Sequence, residues 1–198
     1  EQKISIEEIS NALSSTEKGV WFLEQLNPGK AQYNLPLSLT IRGEFQPDIM
    51  NEALGYLVER HDILRTVYEL IDGQVSRKVL DVLDISIRRE DLSQLDAKQM
   101  DEQLQAITTS ESRQCFNLQT GPLLALKLLK QSAQKHTLLI TTHHIISDLW
   151  SMRLFLRELA FSYAALIENR APQLPKLPLQ YADYASQQDK LLQGQYLQ

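Results

Sequence analysis

Two apolar segments joined by a short polar turn, and followed at once by an amphipathic helix, place the strongest constraint on how this chain folds. Leu123 to Leu129 has the length and flanks of a buried strand, and Thr137 to Thr142 is its expected partner across the turn from Gln131 to Lys135. From Leu149 onward, apolar residues recur with the 3.6-residue period of a helix. A strand that leads through a loop into a helix is typical of an α/β layer, where such loops lie at an open edge of the sheet.

The other segments alternate between the periods of strands and helices, which predicts an α/β fold with a mixed β-sheet flanked by helices. Asp72-Gly73 supplies the positive φ values that a short hairpin requires, so the segments on either side of it are expected to pair. Proline is tolerated in a first helical turn, so a helix is expected to begin at Gln46-Pro47-Asp48. In chain order, these predicted elements are a strand at 35–41, a helix at 46–60, strands at 66–70, 75–79 and 85–89, and a polar helix at 93–113.

Composition and motifs argue against several classes of function. The 198 residues are 43% hydrophobic, which is enough for a buried core, and a net charge of -5 offers no basic face for nucleic acid. Cys115 is the only cysteine, so no internal disulfide is possible and a small core residue is expected there. No zinc-ligand spacing, nucleophile elbow, phosphate loop, signal peptide or membrane-length apolar run is found. We therefore expect a cytoplasmic protein without a metal or a membrane span.

A proline-rich segment after the amphipathic helix marks the predicted edge of the lobe. Residues 171–178 contain three prolines and so cannot form a regular helix or a central strand. Residues 1–178 are therefore predicted to form one lobe, and residues 179–198 to begin a helical segment that leaves it.

Two adjacent histidines lie where the second apolar strand meets the loop before the helix. Neighbouring residues on a strand point to opposite faces, so His143 and His144 are not expected to share a ligand. One imidazole is expected to be fixed in the interior, and the other to present a ring nitrogen to a cleft as a base or hydrogen-bond partner. Asp148 directly precedes the helix, where it is expected to cap the first turn or to pair with an arginine. A purely structural pair and a metal-binding pair are the alternatives.

Four segments of the chain resemble motifs of one family. Residues 142–148, Thr-His-His-Ile-Ile-Ser-Asp, resemble the His-His-x-x-x-Asp-Gly signature of the chloramphenicol-acetyltransferase-like acyltransferases, and they match the condensation-domain branch of nonribosomal peptide synthetases best. Residues 60–68 are similar to the second motif, Arg-His-x-x-Leu-Arg-Thr, and keep every fixed position.

The two remaining segments occur in the family's order and spacing. Residues 14–23 resemble the first motif around its Leu-Trp-Phe-Leu core, although Thr16, Glu17 and Gly19 stand where Ala, Gln and Arg are usual. Residues 174–185 are similar to the segment that leaves the first of the family's two lobes.

The resemblance implies the N-terminal lobe of a condensation domain, which joins a carrier-bound acyl or peptidyl thioester to a carrier-bound aminoacyl amine without a covalent enzyme intermediate. It implies no cofactor bound directly, because the substrates are attached to the phosphopantetheine of partner carrier domains. The expected partners are those carriers, the C-terminal lobe and other synthetase domains. The isolated lobe is expected to be inactive.

The resemblance also implies roles for individual residues. His144 and His143 are expected to be the catalytic pair, with His144 as the base or positioning group. Asp148 is expected to be structural, paired with Arg60 or Arg65. A buried pair of that kind leaves a stranded charge when one partner is removed, so misfolding is expected to precede loss of chemistry.

One departure falls within the signature itself, because Leu149 replaces its glycine and Trp150 follows. Both residues are expected beside the substrate tunnel, where a bulky side chain would narrow the path or shift the backbone. Altered specificity and a catalytically silent domain that recruits or gates carriers are both consistent with this change. An ester-forming acyltransferase is a further alternative, since the same signature serves that reaction.

Overall fold

The computed structural model describes residues 13–194 of the chain. Its main elements are α1 (Ser15–Leu26), β1 (Asn34–Arg42), α2 (Pro47–Arg60), β2 (Thr66–Ile71), β3 (Gln74–Val79), β4 (Ile87–Asp91), α3 (Ala97–Ser112), β5 (Leu124–Ser132), β6 (Lys135–His143), α4 (Leu149–Ile167) and α5 (Tyr181–Gly194). Short 3-10 turns at Ala31–Tyr33 and Asp62–Arg65 precede β1 and β2. None of the helices described here is long and apolar enough to cross a membrane.

Four strands form a mixed sheet in the order β1-β6-β5-β4. β6 is antiparallel to both of its neighbours, whereas β4 is parallel to β5. β2 and β3 form a separate antiparallel hairpin, whose turn places Asp72 and Gly73 at φ 50° and 78°. These features confirm the predicted fold class and the predicted hairpin.

β6 is the central strand of the larger sheet, and every residue after its first is buried. Leu138 and Ile140 pack into a core with residues of α2 and α4, among them Leu54 and Phe155. Leu139 points to the other face, where it packs with residues of β5 and α3. Helices therefore cover both faces of β6, which explains why its middle, Leu138 to Ile140, is continuously apolar rather than alternating.

Most predicted element boundaries agree with the structure within about two residues. α3 begins later than predicted, because Asp96 caps it through a reciprocal capping box with Gln99. The prediction for Cys115 was wrong, since its side chain is exposed and its thiol donates to the Gly29 carbonyl at 2.8 Å. The neighbouring Phe116 takes the buried position in this loop instead.

α5, the helix after the proline-rich segment, lies against α1. The Ser14 and Tyr181 hydroxyls are 3.0 Å apart, and Lys18 Nζ lies 2.7 Å from an oxygen of Asp189. Ala185 on the same helix is completely buried. The expected helix is therefore present, and its first turns pack onto the lobe; that it leads to a second lobe stays a prediction.

A buried ion pair joins α1 to the hairpin. An oxygen of Glu17 lies 2.6 Å from an Arg77 guanidinium nitrogen, and the two side chains are 0% and 1% exposed. The Tyr68 hydroxyl donates to the other Glu17 oxygen at 2.7 Å, and burial raises the pKa of Tyr68 well above its usual range, which keeps it a neutral donor. The Arg77 guanidinium also lies 5.5 Å from the Tyr181 ring centre, which brings α5 into the cluster.

We expect Arg77→Met to destabilise the intact domain by about 3–5 kcal/mol, because it leaves the Glu17 carboxylate buried without its counterion. Glu17→Gln combined with Arg77→Met should cost less than the sum of the two single changes. Urea unfolding of the four proteins measures this coupling. Additive losses would show that the ion pair does not connect α1 to the hairpin.

Candidate active site

The two histidines lie at the end of β6, where the chain leaves the sheet. The His143 amide donates to the Leu123 carbonyl at 2.9 Å, and the His144 amide donates to the Tyr33 carbonyl at 2.7 Å. These bonds hold the end of β6 on both sides and fix the direction in which each imidazole leaves the backbone. As predicted from strand geometry, the two rings enter different environments.

His143 faces the interior, and its side chain is 2% exposed. Its Nδ1 accepts a hydrogen bond from the Ile145 amide at 3.2 Å, so in the neutral ring the proton resides on Nε2. Nε2 points towards a Glu24 oxygen at 3.7 Å, beyond hydrogen-bond range, while Tyr33 and Phe116 flank the ring. Burial, with the neighbouring His144 as a second cause, lowers the pKa of His143 to about 4. The His143 imidazole is therefore neutral at pH 7 and is not among the residues that line the His144 cleft, and its catalytic role stays a prediction.

His144 is half-buried, and its ring lines a cleft of about 400 Å³. Its Nδ1 lies 2.8 Å from the Ser147 carbonyl oxygen. A carbonyl oxygen only accepts, so Nδ1 carries the proton and Nε2 of the neutral ring keeps its lone pair. The fixed tautomer makes Nε2 the atom that is suited to accept or position a proton. Other residues that line the cleft include Ile63, Asp148, Trp150, Tyr181 and Tyr184.

Asp148 is the N-cap of α4. Its carboxylate accepts from the Ser151 amide at 2.7 Å, and the Ser151 hydroxyl accepts from the Asp148 amide at 2.8 Å. The hydrogen bond from the Ser151 amide is the main cause that lowers the pKa of Asp148 below its usual value. The cap also helps to set the loop whose Ser147 carbonyl holds the His144 ring. The capping alternative was thus the correct one for this residue.

The expected pairing of Asp148 with Arg60 or Arg65 is not present among the described residues. Arg60 donates from Nε to a Glu158 oxygen at 3.3 Å and from a terminal nitrogen to the Pro175 carbonyl. Arg65 pairs with Asp62 at 2.8 Å and donates to backbone carbonyls on either side. Asp148 needs no arginine because its carboxylate, at the N-cap, already accepts from a backbone donor and remains exposed.

Sequence reasoning missed Glu158, which is the buried partner of the second motif. This α4 carboxylate is 6% exposed, and one of its oxygens lies 2.6 Å from His61 Nε2 and 3.3 Å from Arg60 Nε. The signal was present, since position 158 lies on the face that Phe155 and Leu159 bury. An acid on an apolar helical face requires a buried cation or donor.

Leu149 and Trp150 form the exposed first turn of α4, with 79% and 77% of their surfaces exposed. Leu149 begins the helix without a positive φ, so a side chain in place of the family's glycine causes no backbone strain. In the described part of the chain it is not a residue of the cleft wall. Trp150 does line the cleft, and its place beside a substrate path stays a prediction.

A small apolar cavity of about 70 Å³ adjoins the His144 cleft. The two share Ile63, Ile146, Ser147 and Ser151, and the cavity continues between Leu124 of β5 and Phe155 of α4. The site therefore combines one positioned imidazole, a polar helix start and an apolar recess.

Comparison with known proteins places this arrangement in a family. The family model described as Condensation domain matches residues 8–198. Malpinin synthetase of Mortierella alpina is 36% identical over 185 residues, which are 93% of this chain and 2% of the synthetase. Bacitracin synthase 3 of Bacillus licheniformis is 35% identical over 177 residues, or 89% of this chain and 3% of that protein. The chain belongs to the condensation-domain family.

Solved structures agree with the fold. The starter condensation domain of rhizomide synthetase superposes with a TM-score of 0.82 at 25% identity, over 93% of this chain and 44% of that one. The X-domain from teicoplanin biosynthesis gives a TM-score of 0.81 at 28% identity, over 98% of this chain and 40% of that one. The chain thus spans less than half of these solved chains and a small part of the synthetases it matches.

We expect Asp148→Ala to lower the free energy of unfolding by about 1 kcal/mol, the usual cost of losing an N-cap. Asp148→Ser retains a capping oxygen and should recover most of that loss. Urea unfolding of the intact domain measures both variants. A loss several times larger, unrelieved by serine, would mean that Asp148 has a buried partner of the kind the family resemblance implies.

We expect the free energy of unfolding to decrease at acidic pH because of the His143 imidazole. The ordinary pKa of this group is 6.5 and its folded value is about 4, so the unfolded chain binds more protons between these values. The resulting change in the free energy of unfolding is about 3 kcal/mol. This stability is fully present above pH 6.5 and is lost as the pH falls towards 4. Urea unfolding across this range should show a smaller pH dependence in His143→Gln than in the wild type. An unchanged dependence would contradict this pKa.

Proposed function

We propose that this chain is the histidine-bearing lobe of a domain that forms an amide bond between a carrier-bound acyl or peptidyl thioester and the amine of a carrier-bound aminoacyl group. The observation that carries the proposal is the placement of His144. Its Nδ1 donates to the Ser147 carbonyl, and its ring lines a cleft of about 400 Å³. The family of the chain supports the same reaction class.

The reaction needs few catalytic groups. The amine nitrogen attacks the thioester carbonyl carbon, a C–N bond forms, the C–S bond breaks and the thiol leaves, while the nitrogen loses a proton. An α-amino group has a pKa of about 8, so part of it is already neutral near pH 7. A neutral imidazole with a free Nε2 can accept or position the remaining proton. Orientation of the two substrates supplies much of the remaining acceleration.

The hydroxyls near His144 support direct transfer rather than an acyl-enzyme. Ser147 Oγ lies 3.2 Å from Ser151 Oγ, and Ser151 Oγ also takes part in the capping box of Asp148. Both hydroxyls are therefore engaged within the loop. The imidazole bonds to the Ser147 carbonyl rather than to either hydroxyl, whereas a nucleophile–base pair would require a bond to a hydroxyl.

In the complete domain, a second lobe outside these 198 residues would form the opposite wall of the site. Two exposed aromatic side chains, Trp150 and Tyr184, line the cleft, and covering their apolar surface is favourable. Carrier domains, each with a phosphopantetheine-linked substrate, are the proposed partners of the complete domain.

A second candidate function is recruitment of a partner protein without catalysis. The X-domain from teicoplanin biosynthesis, 28% identical to this chain, also occurs in a solved complex with OxyB. The exposed apolar side chains of Leu149 and Trp150, which a partner protein could cover, favour this candidate, whereas the fixed His144 tautomer favours amide formation.

We expect His144→Ala to lower the rate of amide formation by roughly 10²–10⁴-fold in the intact module with loaded carriers, the usual range for a lost acid–base group. Mass spectrometry of the carrier-bound product measures the rate. His136→Gln is the matched control, because this histidine lies near the opposite end of β6, next to Phe45. Full activity of His144→Ala would refute the proposed role, and an inactive wild-type module would favour the recruiting function.

The pH dependence of the rate distinguishes the two roles of His144. If Nε2 accepts the proton, the rate of the wild type should fall at acidic pH with a limb that His144→Gln lacks. If the ring only positions the amine, the rates of both proteins should fall over the same pH range. That fall then reflects protonation of the substrate amine.

A further inference from the structure

The outer face of α4 carries two arginines in a shallow cleft of about 330 Å³. Arg153 and Arg157 are one helical turn apart, and Trp150 and Leu154 complete the lining. Phe161, 49% exposed, follows on the same face. Like charges at this spacing repel each other by a few tenths of a kcal/mol, so the pair gains from an anion that lies between them.

Neither guanidinium forms an ion pair with any residue that the structure describes. The acids nearest to them in sequence are engaged elsewhere: Asp148 caps α4, and Glu158 is buried against Arg60 and His61. Because the whole chain has a net charge of -5, two unneutralised arginines in one cleft form a local basic site within an acidic protein.

This cleft continues from the candidate active site. Trp150 lines both the His144 cleft and the arginine cleft. With a rise of 1.5 Å per residue, the backbones of Arg153 and Arg157 lie about 7.5 and 13.5 Å along the helix axis from Asp148, which lines the His144 cleft.

We propose that Arg153 and Arg157 bind the phosphate diester of the phosphopantetheine arm that carries one of the two substrates; the inference rests on the proposed function. Roughly thirteen bonds separate phosphorus from sulfur in this arm, comparable to four residues of extended chain, or about 15 Å. The arm therefore reaches from the arginine pair to His144. Guanidinium groups suit a phosphate because each presents a fork of N–H donors.

Binding of free phosphopantetheine and of pantetheine, which lacks the phosphate, tests this site in the intact condensation domain. Calorimetry or ligand-observed NMR should show that the wild type binds phosphopantetheine roughly tenfold more tightly. The double variant Arg153→Gln, Arg157→Gln should lose this preference and keep its affinity for pantetheine. The preference should also decline as ionic strength rises.

Two further variants sharpen the test. The double variant Arg153→Lys, Arg157→Lys keeps both charges but not the planar fork, so it should retain only part of the preference. The double variant Arg42→Gln, Lys98→Gln removes two exposed charges elsewhere and should behave as the wild type. A wild type without the preference, or an equal loss in this control, would overturn the inference.

The outcome is separable from that of the proposed function, because binding of the free arm requires no catalysis. A domain that forms amide product but shows no phosphate preference would overturn only the arginine site. A domain that prefers phosphopantetheine but forms no product would retain the site and overturn the proposed reaction.

Discussion

The covering of β6 on both faces is the constraint from which the rest of this structure follows. A central strand without a solvated face needs apolar residues on both faces where helices close over it. α2 and α4 cover one face and α3 the other, and the middle of β6, Leu138 to Ile140, is continuously apolar. At the end of the strand, alternation sends His143 into the core and His144 into a cleft.

Buried charges tie the layers together around that strand end. Glu17 and Arg77 connect α1 to the hairpin, and Glu158 connects α4 to Arg60 and His61 at the end of α2. Buried pairs of this kind add little net stability because desolvation offsets their attraction, but removing one partner is costly because it leaves a buried charge unpaired. In this chain, Arg60 and His61 of the second motif therefore pair with Glu158 and not with Asp148.

The candidate site could be predicted only in part. Periodicity and the turn residues located β5, β6 and α4, and strand geometry separated the roles of the two histidines. The burial of Glu158 depended on contacts between distant segments, because its partners are Arg60 and His61. The cap formed by Asp148 and the carbonyl that holds the His144 tautomer depended on the local geometry of one loop, which periodicity does not reveal. Leu149 illustrates the same limit: the structure shows that its side chain is exposed and causes no backbone strain, while its place beside a substrate path stays a prediction.

The sequence alone determined the elements, the mixed sheet and the family, because local periodicity, turn chemistry and motif order are properties of short segments. The tertiary structure decided which ions pair, which imidazole is neutral and which nitrogen of His144 is free. Those properties depend on distances of a few ångströms, between residues far apart in the chain for the buried ion pairs and within one loop for His144, and on the water that packing removes from around them. The same reason applies to Arg153 and Arg157 on α4, because the sequence does not show that Asp148 and Glu158, the acids nearest to them in sequence, are engaged elsewhere.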